Sequence, residues 1–584
     1  MNRILRITGS MFMPRFIGVA RAWPLVFFFL ATIRTEAQSG KLPVAVPRAE
    51  MMTTPAWTTP PKLVVGIVVD QMRVDYIYRY WDNFGSGGFK RLIGGGAFLR
   101  DMHYNYAPTH TGPGHASIYT GTTPHDHGIV ANDMFIRSTG KGLNCVQDDA
   151  TSGVGAEGPR AQRSPVNLRS STLADEMERR YEGRSKTIGV AWKDRAAILP
   201  IGRTGDAAYW NFEDAEGRFA TSRWYMESLP DWLVRFNARR LPAEYLKGTW
   251  DLLLPRERYH QSMPDDNPYE ELLPGVEHPV LPLDLARAFA ASGNNMGLLK
   301  TVPAGLTLVT ELAMAALEGE GMGRDEVPDL LSVSYGGTDE IGHATGPLSL
   351  EVEDMYLRLD RELERLLTGL DERIGQGGYT VFLTADHAGG DVPEYLKSRK
   401  ASAGYVEMAE LSAAVDAALM QRFGTGKWVR KRVKEQFFLN DSLILANKLD
   451  RAQVQDVAAA AVRAFPGVAD AYTAENLVRG TRLAGRAALV QRGFFFERSG
   501  DVAFILRPGY LSAWPGMARQ GADHGSVWNY DTHVPTIFFG HGVVKGEVVR
   551  RTSITDIVPT ICMILGCSLP DAAIGEPVRE VLQR

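Results

Sequence analysis

Residues 107–120, Ala-Pro-Thr-His-Thr-Gly-Pro-Gly-His-Ala-Ser-Ile-Tyr-Thr, place a threonine where an anion could bind. Thr111 is followed by Gly112, Pro113 and Gly114 and then by residues that can form a helix, so we expect its hydroxyl at or just before a helix N-terminus. Free amide hydrogens and the positive end of the helix dipole would face a group bound beside it. A capping threonine in an ordinary turn would give the same pattern.

Three further stretches are predicted to be strands, and each is followed closely by an acidic side chain. Residues 62–70, 329–335 and 379–384 are apolar runs of the kind that forms buried parallel strands. Because the carboxyl ends of parallel strands lie along one edge of a sheet, the side chains that follow them are expected to converge there. Carboxylates and imidazoles together suit two zinc ions. The six candidate ligands are Asp70, Asp339, His343, Asp386, His387 and His524.

A short turn after a predicted strand at 186–190 carries two cations, Lys193 and Arg195. A guanidinium binds an oxyanion through two parallel hydrogen bonds, and an ammonium binds it as a point charge. The two side chains could therefore hold an oxyanion, although a solvated surface pair would have the same composition.

The elements that must position these residues follow an α/β pattern. A late strand is predicted at 534–539, after the last candidate ligand. We therefore predict an α/β fold with a mostly parallel sheet flanked by helices. The helices are predicted at 76–93, from Thr172 to about residue 183, at 348–370 and at 554–565.

Two long stretches interrupt this pattern, and we interpret 204–323 and 401–519 as inserted cap segments. The first contains scattered tryptophans among proline-rich connections, which are more typical of packing than of a substrate platform. The second contains two helical stretches on either side of a basic run, which is most simply a solvated face. The catalytic domain is accordingly expected to cover 62–584.

The beginning of the chain has the pattern of a secretory signal peptide. Arginines precede an apolar run, and Thr35-Glu36-Ala37 could end a cleavage site. We interpret 1–37 as the signal peptide and 38–61 as a tether, which predicts a periplasmic or secreted protein. An uncleaved anchor is the alternative, but the run is short for a membrane span, and we expect no stable span after signal removal.

The composition narrows the classes of function. A chain of 584 residues with 45% hydrophobic and 23% charged residues is typical of a soluble globular protein. The net charge of −4 gives no electrostatic basis for a nucleic acid partner. An odd number of unevenly spaced cysteines, Cys145, Cys562 and Cys567, favours buried thiols over a disulfide scaffold. The sequence is compatible with a monomer.

Taken together, these residues resemble the alkaline phosphatase superfamily. The resemblance runs from about residue 62 to the C-terminus and is greatest to the bacterial phosphate-irrepressible alkaline phosphatases that use threonine as nucleophile. Each motif alone is weak, but jointly they are specific. The motifs are Asp70, Thr111 in Thr-Gly-Pro-Gly-His-Ala-Ser, Asn132, Lys193 with Arg195, Asp339-x-x-x-His343, Asp386-His387 and His524-Gly525.

The resemblance implies a role for each matching residue. One Zn²⁺ would be held by Asp339, His343 and His524, and Thr111 would be the nucleophile. Asp523 and His533 are nearby competitors of His524, but the His-Gly-Ser context of His524 is the one that matches. The second Zn²⁺ would be held by Asp70, Asp386 and His387 with Thr111, and the phosphate by Asn132, Lys193 and Arg195.

This site would hydrolyse small-molecule phosphate monoesters through a phosphothreonine intermediate on Thr111, activated by zinc. Two cations match the additional charged oxygen of a monoester dianion, whereas a diester carries a neutral group there. A phosphodiesterase or nucleotide pyrophosphatase on the same fold is the nearest alternative, and the Lys193 and Arg195 pair argues against it.

Other classes fit the residues less well. A sulfatase would need Cys or Ser where Thr111 stands, because threonine cannot be converted to formylglycine. A metal-dependent mutase or a phosphoethanolamine transferase would reveal itself by requiring an acceptor. A noncatalytic phosphate-binding protein would need the cations but not Thr111.

Overall fold

The computed structural model describes residues 59–482 and 484–582, so the predicted signal peptide and nearly all of the predicted tether lie outside the described residues. None of the helices in these two ranges is long and apolar enough to span a membrane. The strands are β1 (Leu63–Val69), β2 (Ala97–His103), β3 (Asp133–Ile136), β4 (Lys141–Asn144), β5 (Gly153–Val154), β6 (Thr187–Ala191), β7 (Ala207–Asn211), β8 (Phe219–Ser222), β9 (Thr249–Trp250), β10 (Leu283–Asp284), β11 (Asp329–Tyr335), β12 (Tyr379–Thr384), β13 (Gly404–Glu407), β14 (Val429–Val433), β15 (Gln436–Leu439), β16 (Val468–Thr473), β17 (Val502–Leu506), β18 (Tyr510–Ala513), β19 (His533–Gly540), β20 (Gly546–Val548) and β21 (Thr552–Ser553).

A central sheet of eleven strands organises the part of the chain that the structure describes. Its order is β20-β2-β19-β12-β1-β11-β6-β7-β8-β5, with β21 beside β2. The five strands from β12 to β7 are parallel, whereas β19 and β8 run antiparallel to their neighbours. The prediction of an α/β fold with a mostly parallel sheet is therefore confirmed. β1 lies at the centre, and all seven of its residues are buried.

Helices cover the sheet and connect its strands. The long helix α12 begins after Ser349, whose hydroxyl accepts a hydrogen bond from the Val352 amide, and it buries the apolar face that its periodicity predicts. The helices are α1 (Asp75–Arg79), α2 (Phe89–Gly95), α3 (Thr111–Thr120), α4 (Pro124–His127), α5 (Leu173–Arg180), α6 (Asp194–Ile201), α7 (Asp231–Ala238), α8 (Leu241–Tyr245), α9 (Leu285–Ala291), α10 (Ala304–Gly319), α11 (Gly337–Thr345), α12 (Leu350–Ile374), α13 (Pro393–Ser398), α14 (Met408–Phe423), α15 (Asp441–Ala446), α16 (Arg451–Ala464), α17 (Ala474–Arg479), α18 (Gly485–Arg492), α19 (Asn529–Thr532) and α20 (Ile557–Leu565).

The prediction of one helix over 76–93 is wrong. Two short helices, α1 and α2, replace it, and a glycine-rich turn separates them. The Asp360 carboxylate on α12 accepts hydrogen bonds from the amides of Gly85 and Phe89, both at 2.7 Å, and so fixes this turn. A Cβ on Gly88 would lie 2.3 Å from the Asp360 backbone oxygen, so a side chain does not fit there.

The two predicted cap segments differ in how they join the core. Residues 401–519 hold a separate four-stranded sheet, β14-β15-β17-β16, and an apolar cluster of their own with α14 and α16. Residues 204–323, by contrast, contribute β7 and β8 to the central sheet. Helix α10 also packs on this sheet, where the Thr310 hydroxyl lies 2.9 Å from that of Tyr335. The part of 204–323 between β8 and α10 adds no strand to the central sheet, but its buried side chains, Trp232 and Trp250 among them, belong to the same apolar core.

Candidate metal centre and active site

The carboxyl edge of the central sheet brings three buried aspartates together. Asp70 follows β1 directly, Asp339 lies in the first turn of α11 after β11, and Asp386 follows β12. Since β1 pairs in parallel register with both β11 and β12, these strand ends lie side by side. None of the three aspartates is more than 3% exposed.

Histidines complete two groups of candidate ligands that include these aspartates, and a third group of the described chain that could hold a metal consists of Asp101, His103 and His533. Within each group, one ligand atom from every residue lies within 4.8 Å of the others. In the first group the Nε2 atoms of two histidines lie 3.2 and 3.6 Å from Asp339 Oδ1. In the second, His387 Nε2 lies 3.4 Å from Asp70 Oδ1 and 3.7 Å from Asp386 Oδ2. The first group is Asp339, His343 and His524, and the second is Asp70, Asp386 and His387.

The backbone determines which nitrogen carries the proton in the neutral form of all three rings. The Nδ1 atoms of His343, His387 and His524 lie 2.8, 3.0 and 2.8 Å from carbonyl oxygens, which can only accept a hydrogen bond. Each Nδ1 therefore carries the proton, and in the neutral ring Nε2 keeps a lone pair directed at the carboxylates. A metal-ligating histidine has this arrangement.

Several buried polar atoms in the second group lack a partner. Asp70 Oδ1, Asp386 Oδ2 and His387 Nε2 make no hydrogen bond to any residue that the structure describes. Burial, with the nearby carboxylates, raises the pKa of Asp70 and raises that of Asp386 well above its ordinary value. Buried carboxylates and an unprotonated imidazole nitrogen that face one another fit a divalent cation, and this donor set fits zinc.

Lys193 joins the two groups. It is the residue directly before α6, and its Nζ lies 2.8 Å from Asp70 Oδ2 and 2.5 Å from Asp339 Oδ2. Although burial lowers the pKa of the ammonium, the two aspartates outweigh it and raise the pKa above its ordinary value. Lys193 is therefore a permanent cation between the two sets of carboxylates.

Arg195 lines a cavity beside this ammonium. The cavity also has Arg160, Lys300 and Glu213 in its wall and is therefore rich in cations. Among the described residues, Arg195 Nε makes no hydrogen bond, and the guanidinium forms an ion pair with its neighbour Asp194 only, at 3.8 Å from Nη1. The guanidinium thus keeps donors for an anion bound in the cavity.

Thr111 is the first residue of α3, as its sequence context predicts. In the described part of the chain its hydroxyl makes no hydrogen bond, while its carbonyl accepts one from His115 Nδ1 at 2.9 Å. The Asn132 side chain accepts a hydrogen bond from the Gly112 amide at 2.7 Å. A Cβ on Gly114 would lie 2.3 Å from the backbone oxygen of Asp386, so this glycine lets α3 approach the second group closely.

Sequence reasoning assigned no role to Gln71, which connects the two groups. Its amide donates to Asp386 Oδ1 at 3.3 Å, and its side chain donates to Asp339 Oδ1 at 2.8 Å. The backbone of Gln71, just after β1, has a φ of 61°, which is a left-handed conformation. Its position next to Asp70 was the available signal, but neither the conformation nor the long-range contacts could be inferred.

The two competitors of His524 lie outside both groups. His533 stacks on His103 at a ring distance of 4.4 Å, and its Nε2 lies 2.9 Å from the Arg100 carbonyl oxygen. Asp523 accepts a hydrogen bond from the backbone amide of His524 and lies 3.9 Å from His343 Nδ1. The structure therefore brings His524, and not His533, to Asp339.

Comparison with known proteins finds matches that cover most of the chain. The family model of type I phosphodiesterase / nucleotide pyrophosphatase matches residues 64–527. Alkaline phosphatase PafA of Elizabethkingia meningoseptica is 38% identical over 90% of this chain and 95% of its own length. A Myroides odoratus protein named calcium-transporting ATPase is 39% identical over 90% of this chain and 95% of its length.

Solved structures of alkaline phosphatase PafA also match most of this chain. The crystal structure of wild-type alkaline phosphatase PafA has a TM-score of 0.85 and 36% identity, covering 90% of this chain and all of that one. A mutant structure of that enzyme carries changes at a threonine, an asparagine, a lysine and an arginine. The first two have the spacing of Thr111 and Asn132, and the last two have that of Lys193 and Arg195.

Proposed function

The chain belongs to the type I phosphodiesterase / nucleotide pyrophosphatase family within the alkaline phosphatase superfamily, and we propose that it hydrolyses phosphate monoesters with two zinc ions and Thr111 as nucleophile. Its relatives named alkaline phosphatases support a metal-dependent phosphatase. The observation that carries the proposal is the pair of ligand groups on either side of Lys193, in which every histidine directs Nε2 at a carboxylate.

Each of the two ligand groups would hold one zinc ion. Three residues on α11 and the 523–526 segment would hold one zinc, and three at the ends of β1 and β12 would hold the other. When bound, the ions supply the positive charge that lowers the pKa of a hydroxyl nucleophile and stabilises the leaving oxygen. The two ligand sets are Asp339, His343 and His524, and Asp70, Asp386 and His387 with Thr111.

The residues of the chain would act as nucleophile and as phosphate ligands. The Thr111 oxygen attacks phosphorus as the bond to the leaving alcohol breaks, and water hydrolyses the phosphothreonine in a second in-line step. Asn132, Lys193 and Arg195 would hold the non-bridging oxygens. The free donors of Arg195, and the changes at residues of the same type and spacing in the PafA mutant structure, support this assignment.

The cations also indicate the class of ester. A monoester dianion presents an additional charged oxygen, which Arg195 can bind through two parallel hydrogen bonds. A diester places a neutral substituent there and gains nothing from the guanidinium. The name of the matching family keeps a phosphodiesterase as the second candidate.

The ratio of kcat/KM for an aryl phosphate monoester to that for a matched diester decides between them. We expect the zinc-loaded wild type to prefer the monoester, and Arg195→Ala to lower the monoester rate constant by about 100-fold with a much smaller effect on the diester. Arg160→Ala is the matched control, since Arg160 lines the same cavity but pairs with Glu213 at 2.8 Å. Equal losses on both esters would remove the argument for monoesters, and a preference for the diester would establish the second candidate.

We also propose export to the periplasm or the medium, on the strength of the signal-like N-terminus. Mass spectrometry of the protein from its native host should find an N-terminus shortly after Ala37. An intact chain starting at Met1 would contradict cleavage and would favour the uncleaved anchor.

A further inference from the structure

Two of the three cysteines of the chain meet at the C-terminal end of α20. This helix ends at Leu565, and Gly566 follows with a φ of 64°, a left-handed conformation that terminates many helices. The Cys562 carbonyl accepts hydrogen bonds from the amide of Gly566 and, at 3.2 Å, from that of Cys567. The second of these bonds is the one that closes a Schellman motif, in which the side chains of the two residues it joins also come into contact.

The side chains of this turn agree with its backbone. A hydrogen bond joins the two thiols and, together with burial, raises the pKa of Cys562 well above its ordinary value. Cys562 is 1% exposed, whereas Cys567 is half-buried and packs against the same apolar cluster. Both are free thiols in the structure. Cys145 is fully buried in a different apolar cluster, so it takes no part in this contact.

Residues at the C-terminal end of α5 hold this turn in place. The Tyr181 hydroxyl donates a hydrogen bond to the Leu565 carbonyl at 2.9 Å. Arg180 Nε donates to the Gly566 carbonyl at 3.2 Å. Because the backbone between the two cysteines is fixed from outside as well as by its own hydrogen bonds, the fold keeps the two thiols opposite each other without a covalent bond between them.

We propose that Cys562 and Cys567 form a disulfide, which would be a covalent staple across the C-terminal turn of α20. The export proposed from the N-terminus would bring the chain into a compartment where disulfides persist. A single staple leaves Cys145 as a thiol, as an odd number of cysteines requires.

The bond forms by two thiol–disulfide exchanges with a small disulfide such as oxidised glutathione. Cys567 is the more exposed thiol, and its thiolate attacks one glutathione sulfur and releases the other as a thiol. The Cys562 thiolate then attacks Sγ of Cys567, and the second glutathione leaves. The cysteine pair thereby loses two electrons and two protons, and one glutathione disulfide becomes two thiols.

Thiol counting on the full-length, zinc-loaded protein tests this proposal. The protein is equilibrated with reduced or with oxidised glutathione, quenched with acid, unfolded and alkylated, and its tryptic peptides are analysed by mass spectrometry. Both cysteines lie in one tryptic peptide, 552–579, and Cys145 lies in another. We expect the alkylated thiols to fall from three to one on oxidation, with peptide 552–579 lighter by two hydrogen atoms than its reduced, unalkylated form. Three alkylated thiols after oxidation would overturn the proposal.

Two single variants separate the two exchanges. Cys562→Ser should stop at a mixed disulfide between Cys567 and glutathione, because it has no second thiol to displace the glutathione. Cys567→Ser should keep both remaining thiols unmodified, because neither Cys145 nor Cys562 is more than 1% exposed. If the wild type also stops at the mixed disulfide, the two sulfurs do not reach each other and the proposal fails.

Thermal unfolding measures whether the bond acts as a staple. A disulfide stabilises a protein mainly by restricting its unfolded chain. Oxidation should therefore raise the Tm of the wild type by about 2 °C, the shift expected for a short loop in a chain of this length, and leave that of Cys567→Ser unchanged. An unchanged Tm of the oxidised wild type would contradict the staple. Both readouts need no substrate, so their outcome is independent of the proposed phosphatase activity.

Discussion

Replacing Thr111 with alanine is expected to lower kcat/KM for an aryl phosphate monoester by roughly 10⁴-fold or more, since loss of a nucleophile removes the covalent route. The zinc content should stay at two ions per chain, because three other residues supply ligands in each group. Steady-state kinetics and metal analysis by mass spectrometry on the same preparation measure both quantities. The residual rate would come from the cations and the metal ions that remain.

Two further variants make the result specific to the hydroxyl at this position. Thr111→Ser keeps a hydroxyl and should retain a substantial part of the activity. Thr120→Ala removes a hydroxyl from the other end of α3, where it donates to the Ala116 carbonyl at 2.7 Å, and should leave kcat/KM nearly unchanged. Near-normal turnover by Thr111→Ala would show that another group attacks phosphorus.

The parts of this site that the sequence predicts are those determined by strand ends. Runs such as 329–335 and 379–384 are apolar and bounded by polar residues, and the structure has strands with these bounds. Because parallel strands end at one edge, local pattern predicts that Asp70 and Asp386 lie on the same edge of the sheet. That β1 lies directly between β11 and β12, which brings these side chains next to one another, depends on long-range strand pairing.

Interactions that depend on one side chain reaching another element could not be predicted. Lys193 was expected to face a phosphate, and nothing in its turn indicates that its Nζ also contacts carboxylates of both ligand groups. The break in the predicted helix at 76–93 depends on Asp360, a residue far along the chain. The role of Gln71 likewise requires a left-handed backbone that no local pattern specifies.

The choice of His524 rather than His533 as a ligand could be predicted only in part from the sequence. Motif context favoured His524 over His533, but spacing alone could not separate them. The structure separates them physically, because β19 carries His533 to β2, where it stacks on His103, while His524 precedes the strand and reaches Asp339. Which of two histidines near the start of a strand is the ligand can therefore be decided only when the position of that strand in the sheet is known.

Replacing His524 with alanine is accordingly expected to lower the zinc content from two ions to about one per chain and to reduce kcat/KM by roughly 10³-fold. The ring supplies one of three protein ligands in its group, and a metal ion contributes several kcal/mol to charge stabilisation in the transition state. Zinc analysis after dialysis against metal-free buffer, together with monoester kinetics, tests this expectation.

His533→Ala provides the comparison, since it removes an imidazole from the same stretch of sequence without touching either ligand group. Its Nε2 lies 2.9 Å from the carbonyl oxygen of Arg100 on β2, so its loss should cost some stability but leave both zinc ions and the rate in place. If His533→Ala loses a zinc ion and His524→Ala retains both, the assignment of the first group is wrong. Loss of one zinc ion from His524→Ala alone would make that ring the ligand that completes the group of Asp339 and His343.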